Sequence, residues 1–86
     1  MITQISGTLV TKDLDRAEIM TAGGLAYEVQ IPLSVFETLP KTGESVHLYT
    51  SLVVKEDGWQ LFGFASHYER KVFEKLLGAT GVGPAL

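Results

Sequence analysis

Hydrophobic and polar positions alternate with a period of two over most of the first 64 residues, and the period changes after that. Ile2 to Thr11 reads as a strand, with Ile5, Gly7 and Leu9 alternating against Gln4, Ser6 and Thr8. A glycine inside such a run predicts a bulge or sharp bend at Gly7. Lys12-Asp13-Leu14-Asp15 is a polar turn, Arg16 to Thr21 a second strand, and Ala22-Gly23-Gly24 a tight connection. Leu25 to Ile31 alternates next, which predicts Leu25, Tyr27, Val29 and Ile31 inside and Glu28 and Gln30 outside. Pro32 ends that strand. Leu33 to Leu39 suits one short helical turn with Ser34 as cap, and Pro40-Lys41-Thr42-Gly43 is a loop.

Ser45 to Val54 is the longest strand, with Val46, Leu48, Thr50 and Leu52 on one side and His47, Tyr49, Ser51 and Val53 on the other. Trp59 to Phe64 is its hairpin partner, apolar on both faces and therefore central in the sheet. Tyr49, Trp59, Phe62 and Phe64 could stack bases, as aromatics of OB-folds sometimes do, but are expected in the core, because aromatics in apolar strands more often belong there. Five strands with a helical turn between the third and fourth fit a small barrel, of which the five-stranded OB-fold is the commonest kind. An open sheet or an SH3-like barrel fits the same pattern.

Between the last two strands lies Lys55-Glu56-Asp57-Gly58. The Asp-Gly pair suits a type I turn in which Gly58 takes a positive φ and closes the hairpin with a bulge. Glu56 and Asp57 then stand at the tip with their carboxylates in water, flanked by Lys55 and Gly58. Taken alone, this is a solvated hairpin tip.

At Ser66 the period becomes helical. Ser66-His67-Tyr68-Glu69 has the spacing of a capping box. Tyr68, Val72, Phe73, Leu76 and Leu77 recur on one side, Glu69, Arg70, Lys71, Glu74 and Lys75 make the wet face, and Gly78 is a natural stop. The pattern divides the chain into a barrel at residues 1–64 and a helical segment at 65–86. Thr80-Gly81-Val82-Gly83-Pro84 follows. The amides of Gly81, Val82 and Gly83 can converge on an anion at the start of a helix opened by Pro84. The plainer alternative is a helix end followed by a loose tail.

The totals narrow the chemistry. A chain of 86 residues with 45% hydrophobic content builds one modest core. A net charge of −3 argues against general nucleic-acid binding, which draws its affinity from neutralised phosphates. The absence of cysteine excludes disulfides and thiolate metal sites and fits a reducing cytoplasm. No apolar run reaches the roughly 20 residues that span a bilayer. There is no catalytic set, since Glu56 and Asp57 are adjacent on a turn instead of facing across a cleft. His47 and His67 lack metal-ligand spacing, no cofactor is implied, and no phosphate-binding loop for ATP is present.

Gly7-Thr8-Leu9, Tyr27-Glu28-Val29, Leu52-Val53-Val54-Lys55-Glu56-Asp57, Phe62-Gly63-Phe64, the helix with Glu69-Arg70 and Phe73, and Gly81-Val82-Gly83-Pro84 occur in an order and spacing that resemble the N-terminal part of the RuvA family. Members of that family are the bacterial Holliday-junction recognition subunits. The resemblance runs the length of the chain. It implies an OB-fold domain that builds a homotetramer, followed by the opening of a helix-hairpin-helix domain that grips DNA phosphates through Gly81, Val82 and Gly83. It also implies that Glu56 and Asp57 form an acidic pin at the centre of a four-way junction. ATP hydrolysis then belongs to the partner ring ATPase RuvB, bound through a C-terminal domain that this chain lacks, so the chain reads as a fragment of the full subunit. Ala85 departs from the family, which usually has Lys or Arg there, and removes one charge-assisted phosphate contact. Beside this stand two other classes: an OB-fold module for single-stranded nucleic acid or oligosaccharide, and a purely structural assembly domain.

Overall fold

The computed structural model describes residues 2–79. Five strands and two helices lie among the described residues: β1 (Gln4–Asp13), β2 (Arg16–Met20), β3 (Ala26–Gln30), α1 (Leu33–Phe36), β4 (Ser45–Lys55), β5 (Gly58–Phe64) and α2 (His67–Ala79). The strands close into a barrel in the order β1-β2-β3-β5-β4. All neighbouring pairs are antiparallel except β3 and β5, which share one parallel bridge, Gln30↔Phe62. This is the expected five-stranded OB-like barrel with a C-terminal helix, and β5 is flanked on both sides as its two apolar faces require.

The core follows from the alternation. Ile5, Leu9, Ala17, Ile19, Val29, Ile31, Val46, Leu48 and Leu61 project inward and are buried. Complete burial of one such aliphatic side chain is worth about 1.5–3 kcal/mol. The short α1 adds Val35, 1% exposed, with Phe36 and Leu39 packed against the same cluster. Thr50 is a polar residue in this interior, and its hydroxyl donates to the Ile2 carbonyl at 2.9 Å, so no polar group is stranded there.

Several expectations change in the structure. The irregularity of β1 falls between Leu9 and Thr11, at Val10, not at Gly7. The loop before β4 takes up the backbone groups freed there: the Leu9 amide donates to Glu44 O (2.9 Å) and the Gly43 amide to Leu9 O (2.7 Å). Gly7 serves a different need. A Cβ on it would lie 2.1 Å from the Met20 carbonyl oxygen, so glycine is what lets β1 pass the end of β2. Ser34 does not cap α1; Pro32 occupies the cap position and no side chain bonds there. Leu25 lies just before β3 and is 63% exposed, because alternation continues in the sequence beyond the point where the barrel has a wall.

α2 lies on the outer face of β4 and β5. The Ser66 hydroxyl accepts from the Glu69 amide at 3.1 Å, half of the expected capping box; the return bond from the Glu69 side chain does not form. Phe73 rests on Phe62 and Phe64, with ring centroids 5.1 and 5.0 Å apart. Arg70 Nη1 donates to Thr3 O (2.9 Å) and Ser51 Oγ to Glu74 Oε2 (3.3 Å). The face toward the barrel is therefore Arg70, Phe73 and Glu74, and two of these were expected on the wet side. Tyr68, Val72 and Leu76 are instead exposed on another face. The helix also runs through Gly78 to Ala79. No helix among the described residues is long and apolar enough to cross a membrane.

Replacing Phe73 by alanine removes both ring contacts and is expected to destabilise the domain by about 2 kcal/mol, given about 0.5–1.5 kcal/mol for each aromatic pair and the lost area. That lowers the melting midpoint by roughly 8–16 °C for a domain of this size. A midpoint within about 2 °C of the parent would show that the helix does not rest on the barrel in solution.

Candidate nucleic-acid interface

The hairpin of β4 and β5 carries the candidate site. Seven consecutive pairs, from Tyr49↔Phe64 to Lys55↔Gly58, hold the two strands in register. Its inner face is anchored in the core by Leu48 and Leu61 and its outer face by the Phe62–Phe64–Phe73 contact. Gly63 allows a close approach inside: a Cβ there would stand 2.5 Å from Val29 Cγ1. Both sides of the hairpin base are thus anchored, and the paired strands carry the turn from there.

The turn is tighter than expected. Lys55 pairs directly with Gly58, so Glu56 and Asp57 form a two-residue loop and the anticipated bulge is absent. Gly58 does take a positive φ, +145°, while neither Glu56 nor Asp57 does. The primed turns usual for two-residue hairpins need positive φ at the turn residues themselves; here glycine absorbs the twist one position later.

Both acidic residues are exposed, and Lys55 is half-buried. Neither carboxylate makes an ion pair. Among the described residues the ion pairs join Arg16 to Asp15 (3.3 Å) and to Glu28 (3.8 Å), and that arginine's pKa is raised mainly by its hydrogen bond to Asp15. The tip therefore presents two carboxylates with no ion-pair partner among the described residues. Adjacent on a turn, they make a local negative point, not an acid/base pair.

Trp59 is the residue that sequence reasoning placed wrongly. It was expected in the core and is 72% exposed, paired across the hairpin with Val54, 64% exposed. Phe64 is buried as expected and Phe62 half-buried, both on the outer face under α2, and Tyr49 is half-buried on that same face. The available signal was position: Trp59 directly follows the turn glycine, where a strand has already left its barrel.

The histidines are less isolated than their spacing suggested. His47 Nδ1 is hydrogen-bonded to Ser6 Oγ, its ring meets the edge of Tyr49, and Tyr49 meets His67, which accepts from Arg70 Nη2 at 3.1 Å. No carboxylate orients His47, so the serine–histidine contact lacks what an activated nucleophile needs. No group of three or more metal-ligating side chains exists among the described residues. Gly81, Val82, Gly83 and Ala85 lie outside the described residues.

Comparison with known proteins agrees with this architecture. The family described as RuvA N terminal domain matches residues 1–63. The whole chain is 64% identical to a Holliday junction branch migration complex subunit RuvA from Gemmatimonas aurantiaca, covering 44% of that protein. It is 48% identical to a protein of the same name from Halorhodospira halophila and 43% identical to one from Delftia acidovorans, covering 42% and 45% of them. The chain thus spans less than half the length of the curated relatives it matches. A closed five-stranded barrel bearing an acidic two-residue turn, matched over most of its length by one family, leads to a single assignment: the chain belongs to the RuvA N-terminal domain family.

Proposed function

We propose that this domain works within a longer, non-catalytic subunit that recognises four-way DNA junctions and supports branch migration. The observation that carries the proposal is the Glu56–Asp57 tip, exposed and without an ion-pair partner on a hairpin anchored at its base from both sides. Phosphate is repelled by such a point. A continuous duplex crossing it brings its backbones into that field, whereas the diverging strands of an open junction leave the centre clear. The relatives are named as branch migration complex subunits, which supports the same reading.

In this reading residues 1–64 assemble as a homotetramer that gathers four acidic turns at one axis, with Lys55 and Gly58 shaping each turn. Residues 65–86 open a helix-hairpin-helix domain that holds phosphate through the Gly81, Val82 and Gly83 amides. A partner ring ATPase supplies the work of moving strands, and the complex acts in the cytoplasm.

Gel-shift titration of the complete subunit against a four-way junction and a matched duplex, at one salt concentration, tests this. Junction binding at least about tenfold tighter is expected, with the 86-residue chain alone weak toward both because phosphate contacts supply most affinity. Equal affinity of the complete subunit for the two DNAs refutes the proposal.

A further inference from the structure

Trp59 breaks the pattern of its own strand. Leu61 and Gly63 on the same face are buried, yet Trp59 stands in solvent opposite Val54. A lone exposed apolar pair is ordinary. The cleft beside it is not. Where β5 parts from β3, next to their single bridge, a cleft of about 280 Å³ is lined by Gln30, Lys55, Asp57, Gly58, Trp59 and Gln60.

That lining combines an aromatic surface, two carboxamides that both donate and accept, one carboxylate and one ammonium. Phosphate is disfavoured there, because Asp57 lines the cleft and Glu56 adjoins it. A nucleobase suits it. Its flat face stacks on indole, its exocyclic amines can donate to Asp57 or a glutamine carbonyl, and its ring acceptors can take hydrogen bonds from Lys55 or a glutamine amide. In a duplex the faces are stacked and the Watson–Crick edges paired, so only a base released from its stack can lay its face on the indole.

We infer that this cleft receives one unpaired nucleobase, stacked on Trp59, where strands part beside the acidic turn. The inference rests on the reading of the hairpin as the part that stands at the junction centre. It adds a second action to that hairpin: the tip turns the sugar–phosphate backbone away while the flank holds the base.

The test uses the complete subunit and a four-way junction with either normal or abasic nucleotides at the crossover. Trp59→Ala is expected to weaken binding to the normal junction by about 5- to 150-fold, the range of single base–aromatic stacks. Trp59→Phe is expected to retain most of the affinity, and the abasic junction to erase the difference between parent and Trp59→Ala. Tryptophan emission, taken as the difference between parent and Trp59→Phe, falls on junction binding and stays level with blunt duplex. Thermal melting of Trp59→Ala matching the parent excludes a folding defect. Unchanged affinity and emission overturn the inference, as does an altered oligomeric mass of Trp59→Ala, which would assign the indole to a contact between copies. If the complete subunit still prefers junctions while Trp59→Ala behaves as parent, the cleft alone is refuted. If it shows no junction preference, both readings fall.

Discussion

Changing Glu56→Gln together with Asp57→Asn in the complete subunit is expected to raise its affinity for continuous duplex about tenfold at low salt and leave junction affinity within about threefold. One carboxylate–phosphate pair about 4 Å apart is worth about 1 kcal/mol in water, close to fivefold, and more where the assembled protein and DNA exclude solvent. Two charges leave each copy, so a tenfold gain is a low expectation. The effect must shrink with salt, because screening shortens to about 3 Å at 1 M. Both substitutions are nearly isosteric at an exposed turn and leave the Gly58 geometry alone. Filter binding at two salt concentrations reads the change directly. Duplex affinity equal to the parent at both would remove the acidic turn from any role in selecting DNA shape.

The second large effect is on the fold. Gly7→Ala is expected to cost about 3 kcal/mol or more, the upper range for forcing extra volume into packed structure. The added carbon would lie 2.1 Å from Met20 O and 2.8 Å from its carbonyl carbon, both backbone atoms that cannot rotate aside as a side chain would. A domain of this size has roughly 4–13 kcal/mol of stability in total, so the loss is a large share. The midpoint of thermal unfolding falls by roughly 12–24 °C. Gly23→Ala is the matched control: nothing lies within 4 Å of its added carbon, and stability is expected to change by less than about 0.5 kcal/mol. Equal midpoints for the two variants would show that β1 and β2 do not meet at this spacing.

The barrel and the acidic hairpin were legible because their signals are local. Alternation marks Val46, Leu48 and Thr50 as inward, and Asp-Gly marks a turn whose glycine takes a positive φ. Two of the errors share a cause: a period reports which side a residue faces, not whether anything stands opposite. Leu25 and Trp59 keep the inward phase of their strands but lie where the barrel gives them no cover. In α2 the apolar residues span two faces: Phe73 turns inward as expected, but Arg70 and Glu74 flank it there, while Tyr68, Val72 and Leu76 stay exposed. Arg70 reaches a carbonyl 67 positions earlier in the chain. Such long-range partners leave no trace in local spacing. The tight turn at Glu56–Asp57 has the same origin, since register along the whole hairpin decides whether a bulge is needed.

The lone parallel bridge Gln30↔Phe62 makes the joint of β3 and β5 the weakest seam of the wall, and Phe73 lies directly over its Phe62 half. Within the barrel wall, amide exchange is therefore expected to be fastest along this joint. Because α2 is held over the outer face by two aromatic contacts and two hydrogen bonds, loss of those contacts is expected to speed exchange at this joint first.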